Sequence, residues 1–596
     1  VTGHRALAND ARAALAARAS QIIDDFTRRY RHTPVVLLSS LAEGADRLVA
    51  HAALARGARL VAVLPMPRSL YEEDFATHDS REEFRALLRS AERVIEIAPR
   101  ENLSGGELDR SEQYALAGAY MARRAHALIA LWDGAASERT GGTAHVVRFM
   151  LEGVPARYGG AHSPLDPPRG GVVYHVATPR ADDTATPHDV ASPRDDEVTP
   201  HNDEVTLRND EATPRDRETM RRDQFAVRRL YPAGFASESA AERAYAGVRA
   251  RVDGFNRDAL HVAPALAARR ENDASSLMPE QAHDRDGERA RVAAMERAPL
   301  ERLADQFDAA DELSVRFGRR TRAALLQVLV LVFCAALFFN LTPLWSHAPR
   351  SVASLLYPLA LAASYAAYLR ARRGDFQNKY QDYRALAEGL RVQLYWRLAG
   401  LRDEVSTHYL RRQRDELAWI RYAVDACDFV AADDDSALVD PSPREPEIER
   451  LRFALARWVG GQADYFASAA AREEGRSRRL KWIGYALLGV GLALAIVKIF
   501  VRRDHPVVIA AALAPVAAAL VQGYLDKRAL DVHARQYGRM GLLFARARGR
   551  LNELLDADRL TEAQHLFLEL GKESLAENAD WVSLHRARPL EVIRAR

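Results

Sequence analysis

Four apolar stretches, paired as hairpins over residues 323–369 and 482–525, constrain this chain more than any other feature. Residues 323–341 read AALLQVLVLVFCAALFFNL and residues 352–369 read VASLLYPLALAASYAAYL; neither holds a charged residue. At 1.5 Å rise per residue, about 20 residues cross a hydrocarbon core of roughly 30 Å. The second pair covers 482–501 and 506–525, and its one charge, Lys498, lies near a segment end, where its stem can reach the headgroups. Pro358 and Pro515 are tolerable in spans, because neighbouring helices satisfy the freed carbonyls. The alternative of two buried soluble hairpins fits the lengths and the arginine-rich flanks less well.

The flanks also set an expected orientation. Arg316, Arg319, Arg320 and Arg322 precede the first span, and Arg370, Arg372 and Arg373 follow the second, while the turn between them carries only Arg350. Arg476, Arg478, Arg479 and Lys481 lead into the second hairpin, and Lys527 and Arg528 lead out, although its turn holds Arg502 and Arg503. The positive-inside rule therefore places both termini and residues 374–475 in the cytoplasm, and the protein as a multi-pass chain in the cell inner membrane. The chain begins almost inside a motif, so further residues are expected upstream of Val1. No secretory leader pattern is visible.

With 596 residues there is room for several domains, and a net charge of +3 gives no bulk electrostatic case for nucleic-acid binding. Two cysteines, Cys334 in a span and Cys427 elsewhere, argue against a disulfide framework or a cysteine zinc site. The histidines show no metal-ligand spacing, so no metal and no required cofactor is expected.

Residues 1–180 alternate helical and strand patterns. Short apolar runs at 34–38, 60–64, 94–97, 127–132 and 171–176, separated by helical stretches, predict an α/β domain with a Rossmann-like parallel sheet. Ligands bind such sheets at the carboxyl ends of strands. Three loops fall there. In VTGHR, Gly3 permits close backbone approach and Arg5 can fork onto a phosphate. Ser39, Ser40, Glu43, Gly44 and Asp46 form a strand-to-helix turn, and Gly141, Gly142 and Thr143 open another helix whose free amides favour an anion. Each loop alone is ordinary turn chemistry; the three together within one α/β domain point to a ligand site.

VTGHR, SSLAEGADRLVAHAALARGARLVAVLP, ALIALWDG and GGTAHVVRFMLEGVP resemble the SLOG superfamily, which also contains the LOG phosphoribohydrolases and the DprA-type DNA-processing proteins. The resemblance implies a Rossmann-like fold over residues 1–180 that binds a nucleotide or nucleotide-derived small molecule. It would place Gly3, Arg5, Ser39, Gly44, Asp46, Gly142 and Thr143 around the pocket, with Glu43 nearest a ribose hydroxyl or base. LOG enzymes carry a PGGxGTxxE loop whose glutamate takes part in cleaving the ribosyl bond. Aligning Gly142 and Thr143 on its GT puts Val146 at the glutamate position, and the leading proline and one glycine are absent. An apolar side chain can neither stabilise an oxocarbenium-like centre nor move a proton, so the reading tilts from hydrolase to sensor and no catalytic residue is assigned. Glu112, Glu72 or Glu73 could substitute for it, which keeps N-glycosidic cleavage by a membrane-anchored nucleotide hydrolase as the alternative.

Residues 181–225 contain an imperfect heptapeptide repeat (DEVTPHN, DEVTLRN, DEATPRD) and are expected to be a disordered insert. Residues 226–322 are expected to be a helical connector, in which Leu303, Phe307, Leu313 and Phe317 make an amphipathic lead into the first hairpin, 323–370. A cytoplasmic helical segment at 371–475, the second hairpin at 476–528 and C-terminal helices at 529–596 complete an all-α region with four expected transmembrane helices. Tyr383, Leu386, Leu390, Leu394 and Leu398 recur at helical spacing, and Trp396 and Trp419 are read as interhelical packing rather than base-stacking platforms. YRALAEGLRVQLYWRLAG and ENADWVSLHRARPLE resemble the SLATT group of two-span effector domains. That resemblance implies a pore-forming or membrane-perturbing effector of a prokaryotic antiviral or conflict system. The small-xxx-small series Gly489/Ala493, Gly491/Ala495 and Ala510/Ala514/Ala518 suits close helix association, so a homo-oligomer in the lipid bilayer is expected. A scaffold whose α/β domain holds no ligand is the third reading.

Overall fold

The computed structural model describes residues 1–99, 109–159, 170–179, 225–270, 287–341, 350–410, 414–431, 444–501 and 505–589. The repeat-bearing insert falls outside them. The described residues from Val1 to Asn256 form one compact unit, and those from Arg257 onward form a second. The chain is mostly helical, with a small sheet of mainly parallel strands near its N-terminus.

Among the described residues seven strands build two sheets in the first unit: β1 (Thr2–Gly3), β2 (Val36–Ser39), β3 (Arg59–Leu64), β4 (Arg93–Glu96), β5 (Ala127–Trp132), β6 (Val172–Ala177) and β7 (Val227–Leu230). β2, β3 and β4 pair in parallel, as do β1, β5 and β6. The strands fall in two sheets, β1-β5-β6-β7 and β2-β3-β4, and the Val1 nitrogen donates to the Leu38 carbonyl of β2 at 2.8 Å. β1 pairs with β5 in its own sheet, and the bond from Val1 ties its start to β2 of the other.

Helices α1 (Arg12–Arg29), α2 (Ala45–Leu54), α3 (Arg68–Tyr71) and α4 (His78–Ser90) contribute to one hydrophobic cluster, while α5 (Arg110–Arg124) and α6 (Thr143–Glu152) contribute to others. Strand alternation divides β5 between layers: Leu128 and Ala130 pack with Val146, Val147 and Met150, whereas Ile129 and Leu131 join Leu15, Ile23 and Val49. β7 is a difference from the sequence reading, which expects a helical connector over 226–322, broken by a loop-like stretch near 271–290, and no strand. It pairs antiparallel with β6, so the sheet recruits a strand from beyond the insert. The chain then enters α7 (Glu238–Leu260), where Asp253 accepts from the His32 amide at 2.8 Å and from the Thr33 hydroxyl at 3.0 Å.

The second unit is a helical assembly: α8 (Ala263–Arg270), α9 (Gly287–Leu341), α10 (Arg350–Arg373), α11 (Phe376–Leu398), α12 (Val405–His408), α13 (Arg414–Ala431), α14 (Arg444–Ala454), a π-helical segment (Leu455–Gly460), α15 (Gly461–Val497), α16 (Pro506–Arg528), α17 (Leu530–Asp556) and α18 (Leu560–Arg586). α11 is its axis: Tyr383, Leu386, Leu390, Leu394 and Leu398 are all buried, as the helical spacing requires. Trp396 is fully enclosed and donates from Nε1 to the Phe567 carbonyl at 3.2 Å, and Trp419 donates to Asp382 at the same distance. Trp458 stacks on Tyr395 with ring centres 5.3 Å apart and also lies against Phe567 and Phe544. Leu303, Phe307, Leu313 and Phe317 are buried along the first part of α9, which continues unbroken into the apolar stretch.

Among the described residues three helices are long and apolar enough to cross a membrane; they contain the stretches ending at Leu341 and Phe500 and the one beginning at Pro506. Four were expected. The fourth stretch does form a helix, α10, antiparallel to α9, with Ser364 bonded to the Val328 carbonyl and Arg370 to Gln327. Residues 350–354 at its start lie outside those whose side chains the structure describes, and it is not among the three. Large apolar side chains stand exposed on these helices, including Val330, Phe339, Leu359, Leu488, Leu492 and Ile499. A face of that extent is suited to lipid rather than water.

Two buried groups on α18 make the second unit pH-sensitive. His585 stacks on Trp581 with centres 4.0 Å apart, and burial together with Arg384, Arg528 and Arg588 pushes its imidazole down to about 4. A base depressed below its free value of about 6.5 contributes stability above that pH and loses it as pH falls toward 4, about 3 kcal/mol in all. Burial pushes Glu577 up to about 7, assisted by Glu388 and opposed by Arg384 and Arg391, so its contribution declines as pH rises from about 4.5 through 7. The two contributions oppose each other as pH falls, so the variant isolates one of them: His585→Phe is expected to lose less stability between pH 8 and pH 4 in thermal unfolding than the parent protein does. An unchanged slope in that variant would remove His585 from the account.

Candidate ligand site of the N-terminal unit

The parallel strands β1 and β5 end side by side, and open α/β sheets receive ligands at the carboxyl ends of their strands. The loops expected to form a site meet at this edge. Gly3 has no room for a side chain: a Cβ there would overlap Ala45 at the start of α2 and lie 2.5 Å from the Leu131 carbonyl oxygen. Close packing of β1 against α2 thus requires this glycine. His4 continues the contact. Its amide donates to Leu131, its carbonyl accepts from the Ala45 amide, and its Nε2 accepts from the Asp133 amide, each at 3.0 Å. The first amide of α2 is therefore already bonded.

The second loop is held from within. Ser39 Oγ accepts from the Leu41 amide at 3.0 Å, and Asp46 turns back to accept from the amides of Ser40 and Ala42. Arg47 donates to the Leu41 carbonyl at 3.0 Å and spans to Ser80 and Glu83. Glu43 is bonded to Ser80 at the head of α4, an engagement that draws it toward that helix. Two positive φ values, 56° at Leu41 and 80° at Gly44, shape the turn, and Leu41 is the residue for which that conformation is costly. Burial pushes the Asp46 carboxyl up to about 6, against the pull of those amides and of Arg5.

Arg5 is the side chain of the set that remains accessible. Its guanidinium lies 5.1 Å from the centre of the Tyr114 ring and 3.8 Å from Asp74, with about half of the side chain exposed. The third loop reaches the same ring, because Gly141 (φ 76°) sits where a Cβ would be 2.7 Å from Tyr114 Cβ and 2.5 Å from the Ser111 carbonyl. Its amide donates to His145 Nδ1 at 3.1 Å, and burial holds that imidazole below its ordinary value, hence neutral and able to accept. Gly142 is the N-cap of α6 and Thr143 its first residue. Tyr114 thereby joins the first loop to the third.

Sequence reasoning missed the residues that fill the space between these loops. Tyr71 and Tyr114 are edge to face at 6.2 Å, and each has a buried hydroxyl without a hydrogen-bond partner among the described residues. The surroundings of Tyr71 are charged: Asp46, Arg5, Asp74 and Arg47 act on its hydroxyl, and burial raises its pKa above the usual range. Arg110 pairs with Asp74 and Glu73, and Gln113 donates to the Pro65 carbonyl at 2.9 Å, tying α5 to the loop after β3. The stretch PMPRSLYEEDF after β3 carried the one available signal, an aromatic followed by three acids at a strand end.

Val146 is buried against Gly118 and within the cluster beneath β5, so a carboxylate at that position would be enclosed by α5 and the sheet. Glu112 accepts from the Tyr158 hydroxyl at 3.1 Å, and Glu72 is bonded to Arg68 and Arg85. No group of three or more metal-ligating side chains occurs among the described residues. Arg5 and Tyr114 thus reach the surface at this edge, with Tyr71 fully buried beside Tyr114. No family model, no curated protein and no solved structure matches the chain.

Proposed function

We propose that this chain is a ligand-gated membrane effector: its N-terminal unit, SLOG-like, senses a nucleotide-derived small molecule and controls membrane-perturbing helices of the second unit. The observation that carries this is the pair of buried, unpartnered hydroxyls of Tyr71 and Tyr114 beside the accessible Arg5, in a chain that also holds three helices apolar enough for a bilayer. A bound phosphate would give Arg5 a charge-assisted partner, while the ring of Tyr114 offers a stacking face. Gly3, Ser39, Ser40, Glu43, Gly44 and Asp46 shape the cradle, and Gly141, Gly142 and Thr143 bring the N-terminus of α6 to it. No cofactor is required in this reading. Placement in the inner membrane with both termini cytoplasmic follows the arginine flanks, and a role in prokaryotic antiviral defence follows the two resemblances. Gly489 and Ala493 face outward on α15, where close packing of a second copy would use them.

Detergent-solubilised full-length protein is the test material. Mononucleotides, dinucleotides and cyclic dinucleotides are added in turn, with the melting temperature and the release of free base both recorded. A raised melting temperature without base release supports the sensor. Base release supports the N-glycosidic alternative. Arg5→Ala is expected to weaken binding on the order of tenfold to a hundredfold, the cost of a lost charge-assisted hydrogen bond. Unchanged affinity would remove Arg5 from the site, and vesicles that leak equally with and without a tight-binding ligand would end the gating model.

A further inference from the structure

A cavity of about 980 Å³ opens between α9, α15 and α16, wholly within the second unit. Its two ends differ in chemistry. Arg472, Arg476 and Arg479 line one end, at spacings of four and three residues that put them on a single face of α15. Leu329, Phe333, Ile483 and Leu520 line the remainder, on the apolar stretches of the three helices. From Leu326 to Phe333 the wall climbs about 10 Å along α9 into its uncharged run. Trp482 and Tyr485 stand exposed just beyond Arg479, the position at which aromatic side chains mark a membrane interface.

The arginines are available. Arg476 pairs with Glu473 at 2.8 Å, whereas Arg472 and Arg479 have no carboxylate partner among the described residues. Arg478 lies off the groove and is paired with Glu474 at 2.8 Å. We propose that this groove is a binding site for an anionic phospholipid of the surrounding bilayer, its phosphate held by Arg472 and Arg479 and an acyl chain lying along Leu329, Phe333 and Leu520. The inference rests on the reading that these helices cross a bilayer. Charge complementarity across this single cavity selects its occupant. A protein helix would cover the apolar wall and leave the arginines facing no anion, and a free phosphate would leave the apolar wall uncovered. A phospholipid supplies both parts, and basic pockets between membrane helices recognise anionic headgroups in this way.

Native mass spectrometry of the full-length protein in detergent, with added phosphatidylglycerol or phosphatidylcholine, tests it. One phosphatidylglycerol is expected to be retained in preference to phosphatidylcholine. The double variant Arg472→Gln/Arg479→Gln is expected to bind it about tenfold more weakly or worse. Leu520→Trp should remove it while every arginine remains, and Arg478→Gln should leave it unchanged. Equal retention of the two lipids, insensitive to the double variant and to Leu520→Trp, overturns the proposal. So does displacement of the lipid by glycerol phosphate alone, or a Leu520→Trp protein that loses only its oligomeric mass, which would make a second copy the occupant. Alkaline washing of membranes separates the two readings: protein that stays in the membrane but retains no phosphatidylglycerol sinks the groove alone, and protein that washes off sinks both.

Discussion

Gly44→Val is expected to unfold the N-terminal unit. Gly44 has a φ of 80°, and a Cβ there would overlap the Arg5 carbonyl oxygen and lie 2.5 Å from that of His4. Neither neighbour can yield, because both atoms belong to the backbone where β1 meets the start of α2. Removing the clash means separating β1 from α2, with a loss of about 4 kcal/mol or more. Gly57→Ala is the comparison that isolates cause. Its φ is 73°, yet nothing lies within 4 Å of the added carbon, so it should cost only the left-handed backbone term of about 1–2 kcal/mol. Urea unfolding of both variants, followed by limited proteolysis, reads the difference. Similar midpoints for the two would show that steric crowding at Gly44 does not matter.

Trp458→Ala should have a comparable effect on the helical unit. The indole is 1% exposed and lies nearly parallel to Tyr395, with Phe567 and Phe544 completing its surroundings. It joins the π-helical segment to α11, α17 and α18. Truncation leaves a cavity among aromatic side chains that cannot collapse together, and about 3–5 kcal/mol is the expected loss. Trp458→Phe, which retains a ring to stack, should recover much of it. The measurement is the midpoint of the helical signal during thermal unfolding in detergent. If alanine and phenylalanine shift it equally, stacking contributes nothing measurable there.

The parallel strands were legible because buried strands read as apolar runs: those expected near 34–38, 60–64, 94–97 and 127–132 appear as β2 to β5 with shifts of a residue or two. β1 was not recognised as a strand. Two residues carry no periodicity, and only their pairing with β5 some 128 positions later makes them a strand. β7 was missed for another reason. Its sequence, VRRL, holds two arginines and suits an antiparallel edge, and a long insert separates it from β6. At the ligand edge the glycines announced where the backbone turns closely, but sequence could not show how each polar group is engaged. Ser39 and Asp46 are spent on their own loop, and Glu43 is bonded to Ser80. Tyr71 and Tyr114 come from elements remote in sequence, and only folding brings their rings together.

The π-helical segment at Leu455–Gly460 has a consequence for registry. It joins α14 and α15 without a break, since Ala454, Gly460 and Gly461 all keep right-handed helical geometry. A wider turn takes in an additional residue, and one residue of α-helix is a rotation of about 100°. The two ends of this rod are therefore out of phase: Trp458 is keyed into the aromatic core while the arginine row begins fourteen positions on, at Arg472, aimed at the groove. Angular indexing along the rod is set by that one loosened turn. Deleting a single residue from it would swing the arginines around the axis, away from the cavity, with their chemistry intact and their address lost.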